Sequence, residues 1–300
     1  MKSSSAILTR NRFTMRSSAP AALHNLTIEI GEIPILIRTD SIDFAHLLGN
    51  RYGTFVRTGS PHGAMELDVE LVKEHEVGDR DSSLRTDEGD VRVEVEGGRW
   101  VMKRSDFCAW WDPERNRGQV TQRAHPYAID AVLRILHSLL LARAGGFLVH
   151  AASVVRNGRS FVFAGVSGAG KSTLARLAPS DVTLLTDELS YVGPGSGAPR
   201  LTASAFQAFG TPFVGELAQI GQKVNAPLGS LFLLKQGLEN RIEPLSESEA
   251  ARELLRHVLF FARDEELVRR IFDTILDFVA SVPVCRLVFA EDPRVWELIT

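Results

Sequence analysis

Gly165-Val166-Ser167-Gly168-Ala169-Gly170-Lys171-Ser172 is the stretch of this sequence with the most chemistry in it. It fits G-x-x-x-x-G-K-[ST] at every defined position, and Thr173 follows. Glycines at these spacings let the backbone turn tightly and present N–H groups to phosphate oxygens. An apolar strand pattern precedes the loop and a helical pattern follows it, with the positive helix end toward the same anion. In such a loop Lys171 would reach the β- and γ-phosphates of a bound nucleotide, and the Ser172 hydroxyl would ligate Mg²⁺.

Two further features accompany the loop. Leu184-Leu185-Thr186-Asp187-Glu188 is an apolar strand ending in acid, where a phosphate-loop enzyme places its metal-directed carboxylate. Asp187 comes only sixteen residues after Lys171, with room for one short helix and one strand between them. That spacing disfavours transporter-type and motor ATPases, whose acid strand comes later. The lack of N-K-x-D and of a D-x-x-G switch after the loop disfavours a GTPase. His150 precedes Gly165 by fifteen residues, on the strand before the loop's own strand. A lone strand histidine is more often core, but a hairpin leading into a phosphate loop makes it a candidate site residue.

These residues need elements to position them. FLVHAASVV (147–155) and RSFVFAG (159–165) read as strands joined by an Asn157-Gly158 turn. The helix after the loop should end near Pro179, and DVTLLTDELSYV (181–192) reads as one strand. A strand at 230–236, helices at 246–260 and 265–280 and a last strand at 284–290 follow, with Ser246 and Glu249 spaced as a capping box. Helical spacing over 125–144 ends at Gly145-Gly146. Upstream, 26–40 reads as two strands around Gly31, 41–49 as a short helix, 65–77 as a strand and 91–104 as a hairpin turning at Gly97-Gly98. Gly78–Asp90 and Gly193–Pro199 read as loops. The chain thus divides into a solvated tail (1–22), a β-rich N-terminal module (23–124) and an α/β domain (125–300).

LVHAASVVRNGRSFVFAGVSGAGKSTLARL followed by LLTDELSYV resembles the catalytic domain of HPr kinase/phosphorylase. It resembles still more closely the bacterial HPr-kinase-related proteins, which share a fold with the ATP-dependent phosphoenolpyruvate carboxykinases. The resemblance spans about residues 125–300 and is strongest over 147–192. It implies an α/β P-loop kinase domain of the HPr kinase/phosphoenolpyruvate carboxykinase type. It also implies ATP and Mg²⁺ as cofactors, Asp187 as general base on a serine-type hydroxyl, His150 tuning that base, and Glu188 helping to hold Mg²⁺. Homo-oligomers occur in the family. The family's second acid is usually Asp, where this chain has Glu188. The glycine-rich segment of true HPr kinases is replaced by AFGTPFVGE (208–216), which offers Thr211 and Glu216 as further site candidates or as a plain turn. The acceptor is therefore expected to be a protein or peptide, either HPr-like or a ribosomal natural-product peptide. A small-metabolite kinase and a non-catalytic ATP-binding regulator are the alternatives. Lys223, Lys235, Arg241, Arg252 and Arg256 are candidate transition-state cations, each with a surface reading beside it.

Composition bounds the rest. The 300 residues carry a formal net charge of -3, with 24% charged and 44% hydrophobic residues, as expected of a globular protein. No basic block is available to neutralise a nucleic-acid backbone. The Ser- and Arg-rich start is interrupted by charge in every apolar run and holds no secretory core. The apolar run 128–144 is too short and too charged to span a bilayer. Cys108 and Cys285 have no metal-ligand spacing and fit free thiols in a reducing cytoplasm.

Overall fold

The computed structural model describes residues 23–57, 59, 61–72, 91–195 and 206–300. The expected tail, the expected loop over 78–90 and the end of the expected 193–199 turn lie outside the described residues.

Alternating apolar residues build the first half. β1 (His24–Ile30) and β2 (Ile33–Thr39) form a hairpin that turns through Gly31 and Glu32, both at positive φ. α1 (Ile42–Tyr52) starts where the Ser41 hydroxyl accepts from the Phe44 N–H, an N-cap. β3 (Val56–Arg57), β4 (Met65–Leu71), β5 (Arg92–Glu96), β6 (Arg99–Arg104), β7 (Phe107–Asp112) and β8 (Arg117–Gln122) complete one mixed sheet. Its order is β3-β1-β2-β4-β8-β7-β6-β5. β4 buries Met65, Leu67 and Val69, the period-two face that the sequence shows.

α2 (Pro126–Ala144) carries Pro in its first turn and ends at Gly145 in the left-handed region, as helix termini favour. It is apolar almost all round, so it must be covered on most sides. One continuous core therefore runs from Ile28 and Ile37 through Leu133 and Leu136 of α2 to Val149 and Phe278. Arg51 and Tyr52 of α1 both bond to Asp130 of α2, adding a polar joint to that packing.

The second half is a sheet that closes on itself. β9 (Phe147–Arg156) and β10 (Arg159–Ala164) are the expected hairpin, with Asn157 at φ 51° and Gly158 at φ 74°. α3 (Lys171–Arg176), β11 (Thr183–Thr186), β12 (Leu189–Pro194), β13 (Phe206–Phe209) and β14 (Asn225–Gln236) follow. β15 (Arg241–Pro244), α4 (Glu247–Leu255), β16 (Val258–Leu259), α5 (Glu265–Ser281) and β17 (Val284–Phe289) come next among the described residues, with a short 3₁₀ turn at Pro293–Leu298. The sheet path runs β10-β9-β12-β13-β14, and β14 also pairs with β10 in parallel, which makes a ring of five strands. β17 adds in parallel to the outside of β14.

Two expected elements are divided. The strand expected over 181–192 breaks into β11 and β12, because the Thr186 hydroxyl accepts from the N–H groups of Glu188 and Leu189 and turns the chain there. The helix expected over 246–260 stops at Leu255, since Val258 and Leu259 pair with β9 instead. Its capping box, Ser246 with Glu249, forms. The helix after the glycine loop ends at Arg176, three residues short of Pro179. Both cysteines are free, and Cys108 is exposed. Among the described residues no helix is long and apolar enough to cross a membrane.

Candidate functional site

Three parallel strands, β10, β14 and β17, finish at the same rim of the ring. The C-terminal ends of parallel strands are where α/β sheets receive ligands. The Gly165–Ser172 loop leaves β10 at this rim. Gly168 and Gly170 have φ of 77° and 100°, which L side chains rarely adopt. A Cβ on Gly170 would sit 2.5 Å from the Phe289 ring, so space and backbone both demand glycine. Gln236, at the end of β14, donates to the Gly168 carbonyl at 2.8 Å and ties the loop to the closing strand.

Lys171 opens α3 and is only 8% exposed. Its ammonium donates to the carbonyls of Gly165 at 2.9 Å and Val166 at 3.1 Å. Burial pulls its pKa below the usual lysine value, while Glu188 and Glu216 oppose that shift. A buried cation held by neutral carbonyls still favours an anion beside it. The Ser172 hydroxyl donates to Glu216 Oε2 at 2.8 Å. α3 itself is short, and its seat is apolar: Leu174 packs with Phe161, Phe163, Phe289 and Trp296.

The β11–β12 corner carries the acids. Asp187 is 2% exposed, and its two oxygens accept from the N–H groups of Gly215 at 2.9 Å and Leu217 at 2.7 Å. A Cβ on Gly215 would lie 2.9 Å from both Asp187 Oδ2 and Glu188 Oε2, so the 211–217 turn fits against the pair only through glycine. Glu188 is partly exposed, with Arg134 Nη1 3.7 Å from its Oε1. His150 stands on β9 opposite Leu189. Burial lowers its pKa below the ordinary histidine value; Lys171 and Arg134 add to this and Glu188 opposes it, a balance that favours the neutral ring. Its backbone N–H donates to the carbonyl of His257, whose own pKa is lowered by burial and then by Lys171 and His150.

These residues open on one cavity of about 350 Å³. The loop contributes Ser167, Gly168, Gly170, Lys171, Ser172 and Thr173, and the facing wall is His150, Asp187, Glu188, Glu216 and Gln236. Gly165, Val166 and Ala169 form the back of the loop: the first two lend their carbonyls to Lys171, the Val166 side chain faces outward, and Ala169 is buried. Of the two candidates in AFGTPFVGE, Glu216 lines the cavity. Thr211 is buried, its hydroxyl donating to the Leu189 carbonyl at 3.1 Å. A larger and more open groove of about 640 Å³ lies between β1 and α1, with His24, Ile42, His46 and Asn50 in its wall. It gathers no carboxylate, lysine or arginine, so the smaller cavity is the one equipped for chemistry.

The cations picked out in the sequence are not in this cavity. Lys223 pairs with Glu29, Arg241 with Glu243, and Arg252 and Arg256 with Glu253, while Lys235 is an exposed residue of β14. Arg134 and Lys171 are the cations beside the acids. Arg134 reads in the sequence only as a charge interrupting an apolar helix, and Gln236 carries no motif. Among the described residues no three His, Cys, Asp or Glu side chains are gathered to hold a metal ion unaided. Mg²⁺ needs less protein than that: one or two carboxylates with a hydroxyl and phosphate oxygens suffice, and Ser172 on the loop with Glu188 on the facing wall fit that demand.

Residues 127–300 match the model of a protein family described as SynChlorMet cassette protein ScmC. The match begins in α2 and takes in the ring, the glycine loop and the acid corner; the eight-stranded sheet lies outside it. A comparison with curated proteins returned no match.

Proposed function

This chain belongs to the family of SynChlorMet cassette protein ScmC, and from its site we propose an ATP- and Mg²⁺-dependent phosphotransferase of the HPr-kinase-like P-loop kind. The acceptor is a serine-type hydroxyl on a protein or peptide. One observation carries the reading: the glycine loop with Lys171 and Ser172 faces Asp187, Glu188 and His150 across a single cavity.

Each residue then has a physical task. The loop N–H groups and Lys171 hold the triphosphate, Lys171 exchanging two neutral carbonyls for phosphate oxygens. Ser172 and Glu188 would hold Mg²⁺, which neutralises phosphate charge when bound. Asp187 keeps one lone pair of each oxygen on a backbone N–H, which fixes its plane and leaves the others for the acceptor hydroxyl. As the acceptor oxygen bonds to the γ-phosphorus, its proton passes to Asp187 and the bond to the β–γ bridging oxygen breaks, releasing ADP. His150 beside them, its pKa lowered by burial, is disfavoured from carrying a charge that would compete with Lys171. Positioning and charge neutralisation carry most of such a transfer, and base catalysis a smaller part.

The test is transfer from γ-labelled ATP with Mg²⁺ into a lysate of the cell that makes the protein, wild type beside Asp187→Asn. Label on a polypeptide serine with wild type alone is the expected outcome. Label in a small molecule would move the acceptor to a metabolite hydroxyl. ATP bound but no label anywhere would overturn the transferase in favour of a nucleotide-binding regulator.

A further inference from the structure

Arg134 is a cation in the middle of a helix whose central turns are buried. Its neighbours Val132, Leu133, Ile135 and Leu136 are fully buried in the core. Arg134 leaves α2 toward the acid corner, with Nη1 3.7 Å from Glu188 Oε1 and the guanidinium carbon 5.1 Å above the Phe213 ring. Its Nε is buried and has no hydrogen-bond partner. An unspent buried donor costs free energy, so a position that keeps one is held there by something else. Here that is the cation–π contact with Phe213 and the ion pair with Glu188. Phe213 belongs to the same turn whose Gly215 and Leu217 N–H groups hold Asp187. One side chain thus meets Glu188 directly and, through Phe213, the turn that holds Asp187.

Resting on the phosphotransfer reading, we propose that Arg134 is a positioning residue for that pair: it holds Glu188 and the 211–217 turn in register, so that the Glu188 carboxylate faces the cation beside Ser172. Arg134 does not line the cavity and acts through Glu188. A lysine would keep the charge and lose the plane that stacks on Phe213.

The experiment is calorimetric titration with ATP, once with Mg²⁺ and once with EDTA, on wild type, Arg134→Gln and Arg134→Lys. Wild type should gain affinity from Mg²⁺. Arg134→Gln should bind ATP in EDTA as wild type does and lose roughly tenfold of the Mg²⁺-dependent gain, the size of one charge-assisted contact. Arg134→Lys should recover part of it. A side chain that only supported the fold would depress both titrations and the melting temperature together, and that result, like a full Mg²⁺ gain in Arg134→Gln, overturns the proposal. Should the glutamine variant not fold, Arg134→Lys decides alone, and a full wild-type gain sinks the idea. Wild type that binds ATP yet transfers no phosphate counts against the phosphotransfer reading only. Wild type that binds no ATP overturns both.

Discussion

At the scale of single residues, Lys171 and Asp187 differ in what their removal should do. Lys171→Ala removes the ammonium and leaves the Gly165 and Val166 carbonyls facing water. ATP affinity should fall by about 10- to 100-fold, the worth of a charge-assisted contact, in a calorimetric titration. Affinity unchanged from wild type would refute the placement of the triphosphate. Asp187→Asn should lower transfer by about 10²- to 10⁴-fold, the usual worth of a general base, but it is not a silent change to the fold. The amide has one acceptor oxygen for two N–H donors, so the bond to Gly215 or to Leu217 is lost. That buried loss is worth about 1–3 kcal/mol and should lower the melting temperature by several degrees. An unshifted melting temperature would mean that those two bonds are not made in solution. The residues legible in the sequence were those with local spacing: the loop, the acid pair and His150. Glu216 was legible only as an ambiguous turn residue, and Arg134 and Gln236 not at all, because strand pairing brings Gln236 to the cavity and helix packing brings Arg134 to Glu188 from distant positions.

At the scale of elements, the 211–217 turn is where backbone and chemistry are most tightly coupled. Gly215→Ala would drive a methyl group between two carboxylates. The expected result is transfer lowered at least about tenfold with the far-ultraviolet circular dichroism of the wild type, since the turn shifts and the strands do not. Wild-type transfer would show that the turn has room the geometry denies. Periodicity found the strands where alternation is local, and it missed the break between β11 and β12 because apolar residues stand on both sides of the acid pair, Leu184 and Leu185 before it and Leu189 after it. A single hydroxyl, that of Thr186, makes the corner that sets both acids on the rim. The end of α4 was hidden for a different reason: Val258 and Leu259 have a partner in β9 that no local pattern announces.

At the scale of the molecule, α2 is the shared member, and a histidine buried in it ties stability to pH. Neither His137 nitrogen has a hydrogen-bond partner, and its ring meets the Tyr191 ring edge-on at 5.8 Å. Burial pulls its pKa down to about 3 from 6.5. Below pH 6.5 the unfolded chain takes up this proton while the fold refuses it, so stability is full above pH 6.5. It is lost toward about pH 3 at about 1.4 kcal/mol per pH unit. The denaturant midpoint should therefore drop between pH 7 and pH 5, and less steeply in His137→Phe. Equal slopes for the two proteins would contradict this. The apolar core continues past residue 124, where the sequence divides the chain, because a helix apolar almost all round has to be shared. The closing strand has a consequence in time as well as in space. β14 completes the five-strand ring and carries Gln236, the clamp on the glycine loop. On the ribosome, the loop, His150 and the acid pair emerge well before β14. A nascent chain halted between them has every motif residue in hand and no frame to hold them. On the phosphotransfer reading proposed above, nucleotide capture would then be an event of late synthesis, switched on when the last stave of the barrel slides in beside β10.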